Sequence, residues 1–221
     1  MQRIPEPELM NDPEQAQAYA NADFSEPHNH FIDLFRQHFP GIAIGGTVLD
    51  LGCGPADISR RFARAFPRCV IHGVDGAANM LQLGQKANER DQLADRIELY
   101  QRQLPCAALP LAGYDVIISN SLLHHLHEPM VLWRSLKQYA NPGAAIFIMD
   151  LLRPASSDDA QKLVTEYAGD EPEILRKDFL ASLYAAFSLE EVRQQLADMQ
   201  LSHLQVTDVS DRHLIIYGYL P

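Results

Sequence analysis

Val48-Leu49-Asp50-Leu51-Gly52-Cys53-Gly54-Pro55-Ala56 is the stretch on which the reading of this chain turns. A short apolar run ends in an acidic residue and breaks into a glycine-rich turn, and an amphipathic helix follows over Ile58–Phe66. Gly52 and Gly54 let the backbone turn tightly and approach a ligand closely. The helix beyond points free N–H groups at the same spot, which suits an anion such as a carboxylate. The charge of Asp50, at the end of the strand, could help hold an ammonium group, directly or through water. An amino-acid tail carries both groups.

Outward from that turn, apolar runs alternate with helical patterns. Thr47–Leu49, Val70–Val74, Ile97–Tyr100, Val116–Ser119 and Ala144–Met149 read as buried strands. Ile58–Phe66, Ala77–Arg90 and Glu128–Tyr139 read as the helices between them. Asn141-Pro142-Gly143 reads as a turn before the fifth strand. This rhythm implies a parallel sheet with right-handed crossovers. Upstream, helical patterns cover Glu14–Asn21 and His28–Phe39, the second with Phe31, Leu34, Phe35 and His38 on one face. Downstream, a polar and helical segment over 154–187 precedes a helix at Leu189–Met199. Two final strands, His203–Val209 and His213–Leu220, are joined only by Ser210–Arg212 and must pair as an antiparallel hairpin.

A second element is Gly73-Val74-Asp75-Gly76. Asp75 closes the second strand, where an acceptor can take both hydroxyl protons of a ribose. Asp50-Leu51-Gly52-Cys53-Gly54-Pro55, Gly73-Val74-Asp75 with Met80-Leu81, Tyr114–Ser119 with Leu123-His124-His125-Leu126, and Pro142-Gly143 together closely resemble the class I S-adenosylmethionine-dependent methyltransferase family, in its small-molecule branch. The resemblance covers roughly residues 45–150 and returns weakly at the final hairpin. It implies a doubly wound, mostly parallel seven-stranded sheet of Rossmann-like methyltransferase type with a C-terminal antiparallel hairpin. It implies S-adenosyl-L-methionine as cofactor and a methyltransferase that acts by in-line displacement on a small molecule, releasing S-adenosylhomocysteine.

The family pattern also implies roles by position. Asp50, Gly52 and Gly54 would hold the methionine moiety; Cys53 lies in the same loop and is counted among the cofactor contacts, although a buried packing role is the better reading of its thiol. Asp75 would hold the ribose, and Gly76 and Met80 would flank the adenine. Gln103, with Leu104 beside it, stands where many members have Asp; its amide can accept from the adenine amino group and donate to a ring nitrogen. Asn120 would face the transferred methyl, and Tyr19 is a lid contact or a helix-packing aromatic. Ala56 replaces the commoner third glycine, a small change. If the acceptor must lose a proton, the candidate bases are His124, His125, His28 and Asp150, in that order. Asp150 could instead pair with Arg153. No divalent-metal ligand set is legible, though Asp150 could join one, and no metal is expected. One domain is expected: a helical lid over 1–40, a cofactor-binding core over 41–150, a helical substrate cap over 154–187 carrying Tyr167, Arg176, Lys177, Asp178 and Tyr184, and a helix and hairpin over 188–221. Arg212-His213 could also face the site.

Composition narrows the partners. The 221 residues carry a formal net charge of −11, which disfavours phosphate backbones and anionic lipid surfaces. The Asn/Asp-Pro-Pro-Tyr pattern of nucleic-acid amino methylation is missing, with Asn120-Ser121-Leu122 in its place. Cys53, Cys69 and Cys106 form no ligand or disulfide spacing. The first fifteen residues lack the apolar core of a signal peptide, and no apolar run is long enough to span a bilayer. A cytoplasmic protein is expected, with no nucleic-acid or membrane partner and an open oligomeric state. Two alternatives stay open. A nicotinamide-dependent oxidoreductase would want a third glycine where Asp57 stands. A non-catalytic protein could retain the cofactor pocket.

Overall fold

In the computed structural model, which describes residues 1–7, 9–106 and 108–221, the strands bury side chains on both faces. In β1 (Thr47–Leu51) and β4 (Tyr114–Asn120), Leu49, Leu51 and Ile117 enter one core layer while Val48, Val116 and Ile118 enter the other. Alternation of period two puts neighbouring residues on opposite faces. The same holds for β5 (Ala140–Leu151), with Ile146 and Ile148 on one side and Ala145, Phe147 and Met149 on the other. A strand apolar on both faces needs helices on both faces, which is the parallel α/β solution.

Five strands run parallel: β2 (Val70–Asp75) and β3 (Ile97–Gln101) lie on one side of β1, and β4 and β5 on the other. β7 (His213–Tyr219) pairs antiparallel with β5 and with β6 (Gln205–Asp208). The order is β3-β2-β1-β4-β5-β7-β6, the doubly wound seven-stranded sheet with the terminal hairpin that the sequence implied. The order reverses between β1 and β4, where such sheets open a crevice at their carboxyl ends.

One layer holds α2 (Ser25–His38) and α3 (Asp57–Ala65). Phe31 and Phe35 of α2 pack edge-on against Phe147, and Phe35 also against Phe62; each such pair contributes about 0.5–1.5 kcal/mol beyond burial. The other layer holds α5 (Met130–Tyr139) and α8 (Leu189–Asp198), joined by Trp133 Nε1, which donates to Gln195 Oε1 at 2.9 Å. α4 (Ala78–Arg90) crosses from β2 to β3. α1 (Pro13–Asn21) packs on α4 and on α7 (Glu173–Ala185). α7 in turn packs on α6 (Ser157–Ala168) around Leu163, Val164 and Leu183, so the 154–187 segment forms a helical hairpin.

Several expected boundaries shift, α2 for example starting at Ser25 rather than His28, and one shift alters the strand pairing. Asn141-Pro142-Gly143 lies inside β5 rather than before it. The register shifts from Tyr114↔Ala140 to Val116↔Ala145, so the turn chemistry survives as an irregularity, with Gly143 at φ +80°. Asn141 fixes it by donating to Asp115 Oδ1 at 2.8 Å.

Candidate functional site

Beyond β1 the chain takes a left-handed conformation at Gly52 (φ +71°), Gly54 (φ +50°) and Ala56 (φ +60°). The N–H groups of Gly52 and Cys53 donate to the Val74 carbonyl at 2.8 and 3.1 Å, tying the turn to β2. A Cβ at Gly52 would fall 2.8 Å from Leu122, whereas one at Gly54 would meet no atom of the described residues within 4 Å. The space over Gly54 is therefore open crevice. α3 starts without a side-chain cap, so its first N–H groups remain available to an anion. Ala56 is more than a neutral replacement, because a left-handed L-residue costs about 1–2 kcal/mol that glycine would avoid.

Two carboxylates flank the turn. Asp50 is 1% exposed, and its Oδ2 accepts from Ser59 Oγ at 2.5 Å. Burial pushes its pKa up to about 7, against the Ser59 hydrogen bond and with some help from Asp75. Asp75, half-buried, accepts from Gly54 N at 2.9 Å on one oxygen and from Ala77 N at 2.7 Å on the other. Burial raises its carboxyl above the usual range while those backbone donors oppose the shift. Each oxygen of a carboxylate can accept twice, so Asp75 retains acceptor capacity.

The residues expected at the cofactor come together. Asp50, Gly52, Cys53, Gly54, Asp75, Gly76, Met80, Gln103, Leu104, Asn120 and Tyr19 all line one crevice at the carboxyl ends of β1, β2 and β4. The Cys53 thiol is buried, free and packed where a Cβ on Gly73 would sit, 2.9 Å away. Leu9 and Met10 also line the crevice, and Leu9 lies against Gly76. The polar character of the first thirteen residues gave little reason to place them there; the adjacent pair Leu9-Met10 was the available sign.

A second cavity adjoins the first, sharing Tyr19, Phe24, His28, Asn120, Ser121 and His125. It extends over Met149, Leu151, Leu175 and Phe179 to Arg212 and His213. Of the 154–187 candidates, Tyr167 and Asp178 line it, and Arg212 stacks over the Tyr167 ring at 3.3 Å. Lys177 instead pairs with Glu173 at 2.7 Å, and Tyr184 packs within the α6–α7 hairpin.

The expected bases divide. His28 lines both cavities, with Nδ1 2.7 Å from Asp57 Oδ2. Burial alone would push Asp57 up, but hydrogen bonds from His28 and Arg61 hold it well below the usual carboxylate range. Asp150 lines neither cavity. It is 2% exposed, and its oxygens are taken by His124 Nδ1 (2.6 Å), Leu151 N (2.8 Å) and Leu123 N (2.7 Å). Asp150 therefore orients His124 rather than meeting a ligand, and Arg153 pairs with Glu191 at 2.8 Å. Burial disfavours the His124 cation, yet Asp150 keeps its pKa raised. His125 is pushed down to about 3 by burial and by His124 beside it.

Glu6 reaches the same pair of histidines. Its Oε2 accepts from Ser182 Oγ at 3.2 Å, and its Oε1 lies 3.5 Å from His124 Nε2 and 3.3 Å from His125 Nδ1. Spacing in the sequence could not reveal this cluster, since Glu6 stands 118 residues before His124.

Known proteins resemble this chain in sequence over part of its length and in fold. Residues 49–146 match the family model described as a methyltransferase domain. Trans-aconitate 2-methyltransferase of Azoarcus sp. (strain BH72) is 29% identical over 124 residues, covering 56% of this chain and 45% of that one. The chain spans about half the length of the curated relatives it matches. Among solved structures, a SAM-dependent methyltransferase from Aquifex aeolicus superposes with a TM-score of 0.69 at 19% identity, covering 95% of this chain and 99% of that one. The plantazolicin methyltransferase BpumL, in complex with pentazolic desmethylPZN analog and SAH, does so at 0.71 and 14%, covering 95% and 92%. The fold and the glycine-turn crevice thus define a Rossmann-like methyltransferase architecture. Residues 49–146 are similar to a methyltransferase domain, in agreement with the family that the sequence motifs resemble.

Proposed function

We propose that the crevice binds S-adenosylmethionine and that the protein methylates a small-molecule acceptor held in the adjoining cavity. The observation that carries this reading is the pair of joined cavities meeting at Asn120 and Tyr19, with the acidic glycine-turn crevice on one side. The donor set fits the cofactor. Gly54 leaves open the space that a side chain would fill, Asp75 keeps unused lone pairs, and the buried Asp50 lacks a cationic partner among the described residues. When bound, the cofactor supplies an activated methyl group, lost by in-line displacement to leave S-adenosylhomocysteine.

The chain's own residues bind and align. The free N–H groups of the turn and of α3 receive the carboxylate of the methionine tail, and Asp50 faces its ammonium group. Asp75 accepts from the ribose hydroxyls, Gly76, Met80 and Leu104 bound the adenine, and Gln103 hydrogen-bonds its edge. Asn120 and Tyr19 stand at the junction where alignment with the acceptor contributes most. The segment 1–40 acts as a lid and 154–187 as a cap that excludes water from the acceptor.

Where the acceptor must lose a proton, we assign the base to His28. A carboxylate on Nδ1 sets the tautomer in which Nε2 carries the lone pair, and Asp57 supplies it. A small acceptor is favoured by the apolar wall of Met149, Leu151, Leu175 and Phe179, and the net charge of −11 disfavours nucleic acid. The three free, buried cysteines suit a reducing compartment.

Isothermal titration with S-adenosylmethionine and with NAD, followed by labelled-methyl transfer to a metabolite extract, tests the reading. Binding of S-adenosylmethionine with label transfer is expected. Binding of NAD alone would make the protein an oxidoreductase, and binding without transfer a non-catalytic one.

A further inference from the structure

We propose that Glu6 Oε1, His124 Nε2 and His125 Nδ1 form a binding site for a divalent transition-metal cation of the zinc class, set in the wall of the second cavity. All three atoms lie within 4.8 Å of one another. His125 also lines the crevice, but no residue of the glycine turn takes part, so the site does not rest on the S-adenosylmethionine reading.

The argument begins with lone pairs. His124 is 2% exposed and its Nδ1 lies 2.6 Å from Asp150 Oδ1; with the Nδ1 proton donated there, the neutral ring turns an Nε2 lone pair toward Glu6 Oε1, 3.5 Å away. The His125 ring hydrogen-bonds to the Pro7 carbonyl, while its Nδ1 has no hydrogen-bond partner among the described residues. Glu6 is 9% exposed at its side chain; Ser182 serves Oε2, and Oε1 is likewise without a hydrogen-bond partner. Three acceptor atoms thus converge in a buried space. A single proton could bridge Glu6 to one histidine, but the other ring nitrogen would still face a carboxylate oxygen with nothing between them. Buried polar groups left this way are costly. One cation coordinated by all three satisfies every lone pair.

The spacing agrees. Zinc ligand bonds of about 2.0–2.1 Å in a tetrahedron put neighbouring ligand atoms about 3.3–3.4 Å apart. The observed separations from Glu6 Oε1 are 3.5 and 3.3 Å. The outer partners agree as well, because a metal-bound histidine donates its other nitrogen to a carboxylate or a carbonyl. Asp150 does this for His124 and Pro7 for His125. Two imidazoles with one carboxylate select Zn²⁺, Co²⁺, Ni²⁺ or Fe²⁺ over Mg²⁺ and Ca²⁺, which want oxygen.

Glu6 is held in place rather than drifting there. Arg3 Nη2 donates to the His124 and Leu126 carbonyls at 2.9 and 3.0 Å, Arg3 Nε donates to the Ala185 carbonyl at 2.6 Å, and Ile4 N donates to Tyr184 O at 2.9 Å. His127 Nε2 lies 2.6 Å from the Glu6 carbonyl. Three protein ligands leave a tetrahedral cation one open position, and His124 and His125 both line the second cavity. An oxygen, nitrogen or sulfur atom of a small molecule there could complete the coordination.

The test is titration of the full chain, stripped of metal with a chelator, with Co²⁺, followed by its visible ligand-field bands. One Co²⁺ per chain with the intense bands of tetrahedral coordination is expected, displaced by Zn²⁺. Glu6→Gln should weaken binding at least about tenfold, and Asp150→Asn about 10- to 100-fold through the orientation of His124. His28→Asn should leave affinity unchanged. Circular dichroism establishes that each variant is folded; if Glu6→Gln is not, His125→Gln carries the same comparison. Octahedral-type weak bands, no stoichiometric binding, or equal affinity in wild type and the ligand variants would overturn the site. Because the titration omits S-adenosylmethionine, its outcome is independent of what the crevice binds.

Discussion

Ionising Asp50 sets the terms on which the crevice accepts a cation, and the cost can be measured without any ligand. Burial moves its carboxyl from the ordinary 3.8 to about 7. At about 1.4 kcal/mol per pH unit, that displacement amounts to about 4 kcal/mol. The unfolded chain gives up the proton near its ordinary value, whereas the folded chain keeps it to about 7. Between those limits the folded state holds a proton the unfolded state lacks, so this group's contribution to stability falls as pH rises and then levels off above about 7. Asp50→Asn cannot ionise, and its amide oxygen can still accept from Ser59. The variant should therefore match wild type near pH 4 and exceed it by up to about 4 kcal/mol near pH 8. Urea unfolding of both proteins across that range, compared as a difference, removes every other titrating group. S-adenosylmethionine should then stabilise wild type at the upper end of the range and the variant far less, because the ammonium group needs the ionised carboxylate. Parallel pH profiles for the two proteins would refute the claim that Asp50 is buried without a cation.

Three further outcomes follow from the same geometry. Gly54→Ala meets no atom of the described residues within 4 Å and should cost only the left-handed backbone, about 1–2 kcal/mol, yet calorimetry should find S-adenosylmethionine affinity reduced at least about tenfold; Gly52→Ala, with its Cβ 2.8 Å from Leu122, should lower the melting temperature more. Asp75→Ala removes the acceptor for Gly54 N and Ala77 N as well as that for the ribose, so affinity should fall about 10- to 100-fold, the worth of a hydrogen bond to a charged group, with stability falling too. Asp57→Asn should destabilise the fold at neutral pH, because the native carboxyl sits below its ordinary value. That contribution is present above about pH 4 and is lost as pH falls through the folded value, so wild type and variant should converge in acid unfolding.

The sheet was legible because its strands are buried on both faces and write themselves as continuous apolar runs: Val116–Ser119 and Ala144–Met149 have no other economical reading in a chain of this length. The hairpin was legible because Ser210–Arg212 is too short for a crossover. That the residues expected at the cofactor would share one crevice was legible because they cluster at strand ends separated by regular crossovers, so position along the chain predicts position in space. Asn141-Pro142-Gly143 was misplaced by a few residues since turn chemistry marks a break without saying whether pairing resumes on both sides of it. Asp150 was misassigned for a different reason. Its place at a strand's carboxyl edge is right for a ligand contact, but the Leu123 and Leu151 amides and His124 consume its oxygens, and a local pattern does not count hydrogen-bond partners. Glu6 was invisible, and Leu9-Met10 no more than a bare apolar pair, because their segment has no periodic pattern and its start is positioned by Arg3 through contacts with residues more than a hundred positions away.

The acidic balance of the chain acquires a local meaning in the two cavities. Asp50 and Asp75 stand in the crevice, Glu6 beside the second cavity, and Glu171 and Asp178 on its wall. Arg212, a cation on that wall, is engaged by Asp211 and by the Tyr167 ring. Arg60 and Arg61 of the crevice are paired with Asp57, so Asp50 and Asp75 are left to lower the free energy of a cation there. Both proposed ligands obey that sign: a sulfonium with its ammonium in the crevice, and a divalent metal at Glu6. The two also differ in a way that salt should separate. The cofactor would be held by charge and hydrogen bonds in a crevice that solvent enters, where salt screens them, whereas the metal would be held by direct bonds inside a wall that ionic strength reaches poorly. Raising salt should therefore weaken S-adenosylmethionine binding measurably and leave the Co²⁺ isotherm nearly fixed. If both weaken in proportion, the Glu6 cluster attracts cations only through the general field of the chain, and coordination is the wrong description of it.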